Sequence, residues 1–101
     1  MDETQIREVI ATYRALLAQH GLGARECPVE RLPENEDEVL EQAMWMLEQM
    51  ELHLAESGSW EDRAVRERAM RWLGFIQCAL WTTGYRSIAE MMVDNTPRGS
   101  G

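Results

Sequence analysis

Apolar side chains recur along this chain at intervals of three and four residues, the spacing that lines one face of an α-helix. Ile6, Val9, Ile10, Tyr13, Leu16, Leu17 and His20 form the first such stripe. Leu40, Ala43, Leu47, Met50 and Leu54 form a second, and Val39, Met44 and Met46 widen it, so this helix is expected to pack against more than one neighbour. The third runs through Val65, Ala69, Trp72, Leu73, Ile76, Ala79 and Leu80, with Met70, Gly74, Cys78 and Trp81 on the opposite side. From residue 70 onward that segment is apolar nearly all round, the pattern of a central helix. No stretch alternates apolar and polar residues with β-branched enrichment, so strands are not expected.

Polar punctuation sets the boundaries. Asp2 with Gln5, Asn35 with Glu38, Ser59 with Asp62 and Ser87 with Glu90 each pair a capping residue with an acid or amide three places on, the arrangement that satisfies two orphan amides at a helix start. Gly21, Gly58 and Gly84 follow the first three segments, where a left-handed cap is least strained. The prediction is all-α: helices over roughly 3–20, 35–57, 60–83 and 88–95, the second and third forming an antiparallel hairpin, with the first and the short last helix packed against it. "GLGARECPVERLP", with two prolines and two glycines, is a connection long enough to cross the molecule. Residues 1–95 are expected to be a single helical domain and 96–101 a flexible tail, which suits a chain of 101 residues.

Composition adds a compartment. The longest mostly apolar run, Trp72 to Trp81, is about half the roughly 20 residues a membrane span needs. "MDETQIREVI" has no basic segment leading into an apolar one, so no secretory signal is read and a cytoplasmic protein is expected. Cys27 and Cys78, one in a connection and one in a helix, are read as reduced thiols.

"RWLGFIQCALWTTGYRSIAE" gathers two of the four tryptophans, the only phenylalanine and one polar residue, Gln77, among apolar neighbours. The spacing reads as core or subunit interface rather than a cofactor site, with Gly74 and Cys78 small enough to admit another backbone and Gln77 in need of a partner if buried. Extended to Asn95, the segment resembles one found in small uncharacterised proteins of bacteriophages and prophages. The matching positions are Arg71, Trp72, Leu73, Gly74, Phe75, Ile76, Gln77, Leu80, Trp81, Gly84, Ile88 and Glu90, about a quarter of the chain. A glycine commonly follows the glutamine in that pattern, where this chain has Cys78. The resemblance implies a phage origin, host cytoplasm and a helical fold, and it carries over no catalytic residue.

Catalytic chemistry has thin support. His20, His53, Cys27 and Cys78 are not paired at metal-ligand spacing. Glu38 with Glu41, and Glu48 with Glu51, lie one helical turn apart and could share magnesium, as in all-α nucleotide pyrophosphohydrolases. Those enzymes also need an acidic pair on a following helix, but Glu61, Glu67 and Glu90 are followed three places on by Ala64, Met70 and Val93. No cofactor is expected.

Charge is more informative. Between Glu34 and Glu56 stand eight acids and no arginine or lysine, in a chain of formal net charge −8 whose ten basic residues are all arginine. Such a face repels phosphates, so direct nucleic-acid binding is not expected. Arg63, Arg66, Arg68 and Arg71 cluster at the start of the third helix, and a hairpin would bring Arg66 near Glu51. On the second helix Glu34, Glu38, Glu41, Glu48 and Glu56 lie off the core stripe together with Trp45 and Leu52. An aromatic anchor ringed by charge is one form of protein-binding surface. The other reading is that a neighbouring helix or second subunit covers Trp45 and Leu52 and the acids solvate the rest.

The expected function is that of a small acidic, non-enzymatic phage accessory protein that binds and modulates a host protein. A nucleic-acid-handling or defence complex is the target class, approached as a DNA mimic or anti-CRISPR-like inhibitor would. A magnesium-dependent nucleotide pyrophosphohydrolase and a virion assembly factor are the alternatives. Two apolar sides on the third helix, with few helices to cover them, point to a homodimer.

Overall fold

The structure, a computed structural model, describes residues 1–56 and 58–96. Its order is α1 (Glu3–Gln19), α2 (Glu36–His53), a single 3₁₀ turn (Ser59–Glu61), α3 (Arg63–Thr82) and α4 (Ile88–Asn95). The fold is all-α, with no strand among the described residues. The expected 96–101 tail lies, beyond Thr96, outside them.

The caps show why the helices start where they do. Asp2 accepts from the Gln5 amide and Asn35 from the Glu38 amide, while Ser87 and Glu90 close a full reciprocal box. The third expected cap is displaced. α3 begins on Asp62, whose carboxylate accepts from the Ala64 amide, while the Ser59 hydroxyl finds no partner. The expected 35–57 and 60–83 helices therefore shorten, because Leu54 ends α2 and the 3₁₀ turn takes up the approach to α3. Gly21, Gly58 and Gly84 all adopt positive φ, at 74°, 82° and 83°, the left-handed geometry expected of them.

α2 and α3 form the antiparallel hairpin: Met50, His53 and Leu54 at the end of α2 face Val65, Ala69 and Trp72 early in α3. α1 packs on α2, and Ile6, Ile10, Tyr13, Leu17, Leu40, Leu47, Leu73, Ile76 and Leu80 share one fully buried core. Burying each such side chain contributes about 1.5–3 kcal/mol, which is what holds the layers together.

α4 is held by polar groups. Arg86 grips Asp94 bidentately at 2.6 and 3.0 Å, and the Tyr13 hydroxyl donates to the same carboxylate at 2.6 Å. Gln77 donates to Tyr13 and exchanges hydrogen bonds with Asn95, while Gln5 donates to the Asp94 and Thr96 carbonyls. Gln77 thus has the partners its position demanded. Burial first, and then the bond to Asp94, push the Tyr13 hydroxyl well above the ordinary tyrosine range.

Three expectations are corrected. α3 is not covered all round: Met70, Phe75, Cys78 and Trp81 face solvent, since α1 and α2 both lie on its other side. Gly74 meets no other backbone, and a Cβ there would find nothing within 4 Å. His20 leaves the core stripe because α1 ends at Gln19, and its ring stacks edge-on to Tyr85 at 4.7 Å. No described helix is long and apolar enough to cross a membrane.

Candidate functional site

The candidate surface is the outer face of α2, bounded on one side by α1 and on the other by α3. Its N-terminal end is occupied by the preceding connection. The Arg25 amide donates to the Glu41 carbonyl and the Cys27 amide to the Gln42 side chain, so residues 25–27 run alongside the first turns of α2. Arg31 then reaches forward seven residues to Glu38 in a 2.6 Å ion pair, and the Glu34 amide donates to the same carboxylate at 3.1 Å.

Glu38 is consequently 6% exposed, which corrects its expected place on the open face. The Arg31 guanidinium, and then the backbone donor at Glu34, hold its carboxyl down at about 2 against an ordinary 4.5, outweighing the opposing effect of burial. Cys27 lies over the same group, its thiol 3.6 Å from the carboxylate, and burial followed by that contact raises the thiol pKa. A raised thiol pKa means a less nucleophilic cysteine at neutral pH. Glu34 itself is exposed and pairs with Arg31 at 3.1 Å.

Further along, the surface opens. Glu41 and Glu48 are half-buried and Glu56 is exposed. Glu48 and Glu51 both face Arg14 of α1, so the arginine expected to meet Glu51 is replaced. Arg66 instead donates to the Trp60 and Glu61 carbonyls, ordering the turn before α3. Glu36, Asp37, Glu41 and Glu56 make no ion pair among the described residues.

Trp45 and Leu52 separate. Trp45 leans toward α3, its ring 6.2 Å from that of Trp72, which also meets His53 edge-on at 5.9 Å. It is half-buried and packed against the core, with one edge left to solvent. Leu52 is 64% exposed. The apolar centre of the face is therefore Leu52 with the outer edge of Trp45, flanked by Glu41, Glu48 and Glu56.

The two acidic pairs weighed as magnesium ligands are each drawn to an arginine, Glu38 to Arg31 and Glu48 with Glu51 to Arg14. Among the described residues no three His, Cys, Asp or Glu side chains converge as a metal would need. Reading the sequence missed two features. Arg31 lies just outside the arginine-free run and neutralises its buried member, and Asp94, one of α4's acids, is the buried hub of a network. The proline-rich connection and the Arg86–Asp94 spacing of eight were the available signals. Comparison with protein-family models, curated proteins and solved structures returns no match.

Proposed function

We propose that this protein is a small acidic accessory protein of bacteriophage type, acting without catalysis by docking the outer face of α2 onto a host protein whose own ligand is nucleic acid. The observation that carries this reading is Leu52, a leucine 64% exposed on a rigid helix among carboxylates. An apolar contact of that kind supplies affinity once desolvated, and surrounding charge speeds encounter with a basic partner. Carboxylates spaced along a helix can occupy a groove shaped for phosphates, and the resemblance of 71–95 to phage-encoded segments supports the origin. The pyrophosphohydrolase alternative is less favoured because Glu38 is committed to Arg31, leaving Glu41 without its expected partner.

Affinity capture from host lysate on the immobilised protein, eluted in parallel with rising salt and with duplex DNA, tests this. A captured protein released by both supports the reading. Release of pyrophosphate from a nucleotide panel with magnesium, abolished by Glu41→Gln, would replace it with the enzyme.

A further inference from the structure

The connection before α2 closes around a polar contact and turns its apolar side chains out. Arg31 ties it together: the guanidinium donates to the Glu38 carboxylate at 2.6 and 3.2 Å, to Glu34 at 3.1 Å and to the Leu32 carbonyl at 3.3 Å. The Arg31 amide closes a turn onto the Pro28 carbonyl at 3.2 Å. Val29 and Leu32, the apolar side chains of the same turn, are 95% and 84% exposed, more than any other large hydrophobic residue among those described.

This loop is held before anything binds it. Pro28 and Pro33 fix φ on either side of the exposed pair. Cys27 is anchored to α2 by its amide, which donates to the Gln42 side chain at 2.7 Å, and Asn35 caps the helix at the other end. A compact surface loop with tethered ends is a frequent carrier of function. One that is already ordered gives up little conformational freedom on binding, so the apolar area it covers goes further toward affinity.

Charge selects what can cover it. From Arg25 to Glu38 the chain has six carboxylates and two guanidiniums, and Arg31 is already answered by Glu34 and Glu38. Glu26, Glu30, Glu36 and Asp37 are exposed and make no ion pair among the described residues, with Arg25 the one base left beside them. Nucleic acid and anionic lipid are repelled by such a surround, and a second copy meeting it loop to loop would set like charge against like. A basic protein surface is attracted.

We propose that residues 28–34 are a preformed docking loop that seats Val29 and Leu32 in an apolar pocket rimmed by arginine or lysine on another protein, with the flanking carboxylates facing that rim. The contact is separate from Leu52 on α2, and variants at the two places tell them apart.

The probe is a displayed library of random peptides, panned on the immobilised full chain. Enriched peptides should combine net positive charge with a large apolar residue. They should bind the Val29→Ser, Leu32→Ser variant about tenfold or more weakly than the native chain, and bind Leu52→Ala as they bind the native chain. Both loop residues are exposed, so the variant should keep its circular dichroism signal and melting temperature. No enrichment over the bare support, enriched peptides that are neutral or acidic, or equal binding to the loop variant would each overturn the proposal. So would sedimentation of the native chain with phosphatidylcholine vesicles, or a dimer in light scattering, if the loop variant abolished it, since the loop would then serve lipid or a second copy.

Discussion

Arg31 and Glu38 show how one pair removes a residue from a binding face and makes it part of the fold. The carboxylate accepts from a guanidinium and a backbone amide in a nearly closed site, where losing one partner leaves the other poorly solvated. Because Glu38 titrates at about 2 in the folded chain and near its ordinary 4.5 when unfolded, its contribution to stability is complete above the ordinary value and is lost as pH falls toward 2. Urea denaturation between pH 7 and pH 2.5 should show that decline, and Glu38→Gln should flatten it while lowering stability at pH 7. An unchanged acid slope in the variant would mean other carboxylates govern it. Tyr13→Phe should remove the donor to Asp94 at a cost of roughly 1–2 kcal/mol, with amide exchange in α4 accelerating first. The Tyr13–Asp94 partnership could not be read from spacing, since the two are 81 residues apart and nothing local marks either one as buried together with the other.

At the scale of the helix, α2 and α3 each present two faces, and in both the inward one was legible. Leu40, Leu47, Leu73 and Ile76 repeat at the helical period and are buried, because a period of 3.6 in a chain of this length has one place to go. The outward faces were not. The pattern that reads as a central helix in α3 belongs to a helix with neighbours on one side only, and periodicity alone does not reveal how many helices surround it. Trp45 shows the same limit on α2, since its position off the core stripe did not disclose that Trp72 leans out to meet it. Trp45→Ala and Trp72→Ala should therefore both lower the unfolding free energy, each by less than the ~3–5 kcal/mol of a fully buried aromatic. Leu52→Ala should leave the unfolding free energy within about 0.5 kcal/mol of the native chain, as exposed substitutions do. A large loss of stability from Leu52→Ala would place that side chain in an interface that the isolated chain already forms.

For the whole molecule, the arrangement of charge matters more than its sum. Among the described residues, Arg7, Arg14, Arg31, Arg63 and Arg86 are engaged by carboxylates within the chain. Glu36, Asp37, Glu41 and Glu56 remain as the outward negative potential of α2, and Arg68 and Arg71 as the positive potential of α3. Association through α2 should therefore weaken as ionic strength shortens the screening length, about 10 Å at 0.1 M salt, through slower encounter more than faster release. The most direct measurement is quantitative affinity purification from host lysate, comparing the native chain with a Glu41→Gln, Leu52→Ala, Glu56→Gln variant that keeps its circular dichroism and melting temperature. The docking reading predicts a host protein enriched at least tenfold on the native chain, the least that about 1.4 kcal/mol of lost contact produces. Equal recovery of the same proteins on both would contradict it.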